Sequence, residues 1–172
     1  MELQTQSVCL AVEAAPGQGR TTLATALAKR IEASGGVSLY IPAGRPCLGP
    51  EPLGLATGLE IKLGLGFAEE PNQRAARLDA FLAAMGATGP QIRQPLLDML
   101  FTSTNAPGLS ELGNALTQLA KAHPLTLLID DADAATVQLI ELLARLCAEA
   151  ESGLRVILLG KNLPEATLRR LS

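Results

Sequence analysis

Four short apolar runs punctuate the chain: Val8 to Val12, Val37 to Ile41, Leu125 to Ile129 and Leu154 to Leu159. Each is apolar on both alternating faces and bounded by Gly, Pro or Asp, the pattern of strands in a parallel sheet covered on both sides. Helical spacing fills most of the intervals. Thr21 to Glu32 repeats Leu23, Leu27 and Ile31 every four residues, and Gly35-Gly36 stops it. Arg74 to Met85 aligns Leu78, Phe81, Leu82 and Met85, and Ser110 to Lys121 aligns Leu112, Leu116 and Leu119. Ala134 to Ala150 does the same with Val137, Ile140, Leu143 and Cys147. Strands alternating with helices predict an α/β fold, a three-layer sandwich around a parallel sheet of about four strands. The long interval from Pro42 to Pro124 is the exception. It opens with a Pro/Gly-rich stretch to Pro52 and continues as short helices broken at Gly86, Gly89-Pro90, Pro95 and Pro107-Gly108. Gly64-Leu65-Gly66 follows no strand and reads as a plain turn.

Composition narrows the picture. The chain holds 33 Leu and 27 Ala against four aromatics, Tyr40, Phe67, Phe81 and Phe101, so its core is aliphatic and largely helical. With 48% apolar and 18% charged residues it is too hydrophobic to be disordered, and 172 residues suit one domain. A net charge of −3 argues against nucleic acid as the main ligand, because phosphate contacts would need a local basic patch. No uncharged apolar run approaches the roughly 18 residues that cross a bilayer, so no membrane segment is expected. Met1-Glu2-Leu3-Gln4 lacks the basic start of a signal peptide, which suggests a cytoplasmic, bacterial-looking protein. Cys9, Cys47 and Cys147 are odd in number and form no CxxC, so neither a disulfide framework nor a zinc site is expected. His123, before Pro124, reads as a loop histidine.

Three segments carry candidate chemistry. The first, Glu13 to Thr22, lies directly after the first strand and opens the first helix, the position required of a GxxxxGK[ST] phosphate loop. Ala14 takes the first place, Gly19 the sixth, Arg20 that of the Lys and Thr21 that of the hydroxyl. Gly17 and Gly19 let the backbone curl, and the helix N-terminus aims free N–H groups at an anion. Thr21 would reach a magnesium ion and Thr22 the α-phosphate side. The second segment is the apolar strand ending in Asp130-Asp131-Ala132-Asp133. In a magnesium-nucleotide site Asp130 holds the metal through water and Asp131 polarises the attacking water; Asp133 reads as the N-cap of the helix starting at Ala134. The third is the strand end at Gly160-Lys161-Asn162. Either Lys161 or Asn162 contacts the γ-phosphate or the attacking water, or the pair is simply an exposed loop Lys beside a turn Asn; both readings stay open.

With these residues in hand, the sequence resembles the AAA+/STAND branch of P-loop ATPases. APGQGRTTLATALAKRI is similar to its phosphate loop and first helix, LTLLIDDAD to its acid motif, and LRVILLGKNLPEATLRRL to its sensor strand and following helix. Two subfamilies resemble it most: the envelope-associated ATPases of the general secretion pathway protein A and septal SPOR-protein type, and the STAND switches of maltose-activator type. The resemblance covers roughly residues 7 to 41 and 109 to 171. It implies ATP and Mg2+ as cofactors, Ala15, Pro16, Gly17, Gln18, Gly19, Arg20, Thr21 and Thr22 as the nucleotide cradle, Thr21 and Asp130 at the metal, and Asp131 with Lys161 or Asn162 in catalysis. A protein partner or a homo-oligomer is implied as well.

The departures shape the expected activity. Arg20 replaces a Lys, and a planar guanidinium does not fit a pocket shaped for an ammonium. Asp131 replaces the commoner Glu and is one methylene shorter, enough to misplace a water. The family core has five strands and a helical lid, against four strand candidates here, so a fragment or a minimal domain without the lid is expected. Arg169 and Arg170 fall where relatives place an inter-subunit arginine, though a solvated helix end explains them more simply. The expected function is an ATP/Mg-binding switch or assembly module with slow or impaired ATPase activity. One alternative is a non-catalytic interaction module that retains the fold. Another is a partitioning or septum-positioning ATPase, weakened because Glu13, Ala14 and Ala15 stand where that class has an extra Lys and Pro42 where it has an Asp.

Overall fold

The four apolar runs pair as one parallel sheet in the order β1-β4-β3-β2, made of β1 (Val8–Glu13), β2 (Val37–Pro42), β3 (Leu125–Asp130) and β4 (Leu154–Gly160). The computed structural model describes residues 8–44, 54–66, 69–101, 107–149 and 153–171. Strand β3 is central, with Leu127 opposite Leu39 on one side and Val156 on the other, and all six of its residues are buried. That burial on both faces explains why its sequence shows no alternation.

The helices are α1 (Arg20–Ala33), α2 (Leu55–Leu63), α3 (Pro71–Ala84), α4 (Pro90–Leu100), α5 (Leu109–Ala122), α6 (Val137–Ala148) and α7 (Glu165–Leu171), with a 3-10 turn at Ala132–Ala134. Helices α5 and α6 bury Leu112, Leu116, Leu119, Leu139, Leu143 and Leu146 in the main core with Leu39, Leu127 and Val156. Helix α1 packs on the other face, where Leu128 and Leu159 are fully covered, and completes the three layers. Fully burying a leucine contributes roughly 1.5–3 kcal/mol. The α5–α6 side therefore carries most of the stability, whereas α1 fully buries only Ala24.

Several expectations change. Leu23 is 40% exposed although its spacing pointed inward, and Leu10 of β1 is 54% exposed. Leu10 lies on an edge strand, with no strand flanking β1 on its outer side among the described residues, whereas α1, which carries Leu23, packs mainly over β2 and β3. Helix α2, hidden in the Pro/Gly-rich interval, lies against β2 because residue 58 is glycine: a Cβ there would stand 2.6 Å from the Tyr40 carbonyl oxygen. Gly86 ends α3 in a left-handed conformation, as the pattern suggests, yet α4 runs through Pro95 without breaking. A proline there removes one helical hydrogen bond, and buried Ile92, Leu96, Met99 and Leu100 hold the helix regardless.

The helix expected from Ala134 starts at Val137 instead, because Thr136 accepts the Leu139 N–H (3.4 Å) as its N-cap. Val137, as the first helical residue, is exposed rather than part of the apolar stripe. His123 sits between α5 and β3, as a junction residue. Much of the Pro/Gly-rich stretch, with Cys47, lies outside the described residues. No helix among the described residues is long and apolar enough to cross a membrane.

Candidate functional site

All three chemical segments converge at the C-terminal ends of the strands, because a parallel sheet places every strand-to-helix loop on one edge. The loop after β1 turns through Gly17 (φ 80°) and Gly19 (φ 81°), the latter capping α1. Both angles lie in the left-handed region that glycine enters at little cost. A Cβ on Gly17 would meet nothing within 4 Å, so its glycine serves conformation rather than space. Gln18 closes the turn, accepting the Ala15 N–H through Oε1 (3.1 Å) while its own N–H donates to the Ala15 carbonyl (3.2 Å). The Ala14 N–H donates to the Gly160 carbonyl (3.0 Å), which ties the loop to the end of β4.

Asp130 is the organising residue of the site. It is 3% exposed at the tip of β3, and its Oδ2 accepts from the Thr21 hydroxyl and the Tyr40 hydroxyl, both at 2.7 Å. Its Oδ1 accepts the Asp131 N–H at 3.0 Å. A carboxylate buried this deeply requires such donors. Tyr40 was not foreseen as a site residue, since one aromatic in an apolar strand reads as core. Its hydroxyl two places before the end of β2, beside an acid-tipped strand, was the available signal.

A charge cluster stands beside it. Arg20 places Nη2 2.9 Å from Asp131 Oδ1 and Nη1 3.4 Å from Asp133 Oδ1, with only 12% of its side chain exposed. Asp131 adopts a left-handed φ of 53°, and Gly44 makes room for it: a Cβ on Gly44 would stand 2.8 Å from the Asp131 Cβ. Asp133 is a site residue rather than a helix cap. Its Oδ1 accepts the Lys161 backbone N–H (2.8 Å), and this bond, followed by Asp133's own backbone N–H and then the charge of Arg20, holds its carboxyl below the usual carboxylate range. Glu13 accepts the Leu163 N–H (2.8 Å) and pins the segment after β4. The side chains of Lys161 and Asn162 are exposed, and it is the Lys161 backbone that joins the cluster. A hollow of about 370 Å³ lined by Thr21, Thr22, Thr25, Ala26 and Lys29 runs along α1 from the loop.

This loop, strand and acid arrangement has a family counterpart: a family model described as an AAA domain matches residues 4–167. The chain belongs to the AAA domain family. No curated protein and no solved structure matches it. As a P-loop AAA-type domain it is a nucleotide-binding, ATPase-like module. AAA domains typically bind nucleotide with Mg2+, and the residues present suit that ion. The Thr21 hydroxyl and the Asp130 carboxylate are hard oxygen donors already in contact at the loop. Among the described residues no group of three or more His, Cys, Asp or Glu could hold a metal ion, so such a cation would depend on phosphate and water for its remaining ligands.

Proposed function

We propose that this AAA domain binds Mg2+-ATP as a nucleotide switch or assembly module with slow or impaired hydrolysis. The observation that carries the reading is the 2.7 Å contact between Thr21 and Asp130, which joins the phosphate loop to the acid strand. In this reading Ala15, Pro16, Gly17, Gln18, Gly19, Arg20, Thr21 and Thr22 cradle the phosphates. Thr21 and Asp130 hold Mg2+, which supplies charge neutralisation at the phosphates. Asp131 orients the attacking water, and Lys161 or Asn162 approaches the γ-phosphate.

Slow turnover is supported by the pairing of Arg20 with Asp131 and Asp133. The guanidinium must leave those carboxylates before it meets phosphate, and Asp131 must lose its cation before it can polarise water. Two carboxylates already occupy the guanidinium and Asp130 adds a third negative charge at the loop, so a nucleotide polyanion needs Mg2+ to enter. Calorimetry with Mg2+-ATP tests the proposal: saturable, magnesium-dependent binding is expected, and no heat at millimolar nucleotide overturns it.

The same ion pair favours a second reading, a non-catalytic interaction module in which Arg20 is a structural cation. Hydrolysis that disappears in Asp131→Ala would exclude it. In this reading residues 1–172 form a single cytoplasmic domain that acts with a protein partner or as a homo-oligomer.

A further inference from the structure

We propose that Cys9 and Cys147 are a redox-modification site, closing into a reversible intramolecular disulfide that staples edge strand β1 to the end of helix α6. Cys9 lies opposite Val156 in the β1–β4 register, and Val156 is buried in the main core beneath α5 and α6. The Cys9 side chain therefore projects to the α6 side of the sheet. Cys147 lies in the last turn of α6, and both residues pack against that core while remaining partly exposed. Cys9 is the second residue of β1 and Cys147 stands at the end of α6 seven residues before β4 begins, so both lie at the same end of the sheet, where each thiol is the main influence on the other's ionisation. Two cysteines 138 positions apart in sequence thus share one half-open site at the least supported edge of the sheet, where β4 is the sole neighbour of β1 among the described residues. A small oxidant can reach them, and among the described residues no metal-binding group of His, Cys, Asp or Glu surrounds them.

The pair is chemically asymmetric. The hydrogen bond from Cys147 lowers the pKa of the Cys9 thiol, whereas that same bond, together with burial, raises Cys147 well above the ordinary thiol range. Cys9 is accordingly the thiol that ionises and attacks first. With a hydroperoxide as oxidant, the Cys9 thiolate attacks the O–O bond and becomes a sulfenic acid, and the alkoxide or hydroxide leaves and takes up a proton. The Cys147 sulfur then displaces water from that sulfenic acid and forms the S–S bond. Two thiols lose two electrons in total and the peroxide gains them. A dithiol reductant reverses the change.

Trypsin separates the three cysteines onto peptides 1–20, 31–62 and 146–155, because Pro46 blocks cleavage after Arg45. The test treats the reduced full chain with stoichiometric hydrogen peroxide, alkylates the remaining thiols and maps the non-reduced digest by mass spectrometry. Peptide 1–20 joined to 146–155 within a monomer is expected in the wild type and in Cys47→Ser. It should be absent in Cys9→Ser and Cys147→Ser and lost on adding dithiothreitol. Closing so long a loop should also raise the melting temperature of the oxidised Cys47→Ser protein by about 5–10 °C over its reduced form. A bond involving Cys47, a bond formed only between chains, or over-oxidation of Cys9 with no crosslink would each overturn the proposal. Because Cys47→Ser retains both thiols of the pair, the answer does not depend on the folding of Cys9→Ser.

Discussion

Arg20 and Asp131 form a 2.9 Å ion pair across the candidate site, so the residue in the cation position of the phosphate loop and the residue in the water-orienting position neutralise each other. Asp131 is half exposed, so solvent weakens the pair to about 0.2–1 kcal/mol. Asp131→Ala should accordingly tighten Mg2+-ATP binding about 2- to 5-fold in calorimetry while abolishing any hydrolysis. Weaker binding would mean that Asp131 assists the nucleotide rather than competing with it.

Arg20→Lys exchanges the planar fork for a compact ammonium that reaches phosphate as a point charge. Affinity or turnover should rise in a coupled phosphate-release assay. If neither changes, the pocket is disused.

Tyr40→Phe removes one of the two hydroxyls that hold Asp130. With Thr21 still donating, the loss should be about 1 kcal/mol in urea denaturation. Removing both hydroxyls, in Tyr40→Phe with Thr21→Ala, should cost more than the two single changes summed, since Asp130 would keep a single hydrogen bond, that from the Asp131 N–H, in a buried position.

Asp133 gives the site an acid limb. Its folded pKa lies below the unfolded value, so its contribution to stability is fully present above about pH 4 and is lost as pH falls further, through the folded value. Asp133→Ala should lower the melting temperature at pH 7, and the gap from wild type should narrow by pH 3. A gap constant with pH would show that the Lys161 N–H and Arg20 do not favour the charged form.

Gly58→Ala tests the packing of α2 on β2. The added Cβ would meet the Tyr40 carbonyl at 2.6 Å, which backbone must relieve, so a loss of about 1–3 kcal/mol is expected by denaturation. An unchanged midpoint would show that α2 moves freely on the strand.

Strand number, sheet type and the position of the phosphate loop are legible in the chain because they follow from local spacing. The four strands require only short apolar runs between breakers, and the loop requires glycines between a strand and a helix. Helix α2 is not legible, since its seat depends on Gly58 against Tyr40 of a strand eighteen residues away in sequence. Asp133 reads as a helix cap because capping is the commonest local use of an acid after a strand. In three dimensions its carboxylate turns to the Lys161 N–H and to Arg20, and Thr136 caps the helix.

Periodicity and turn chemistry act over neighbouring residues, so an aliphatic α/β domain with a glycine loop and an acid-tipped strand is already written in the order of the residues. Folding is what makes Tyr40 and Thr21 share Asp130, sets Arg20 between two carboxylates more than a hundred residues away, and brings Cys9 and Cys147 to one end of the sheet. Those contacts depend on strand order and register, and the parallel crossovers that set them bring together residues no local pattern relates.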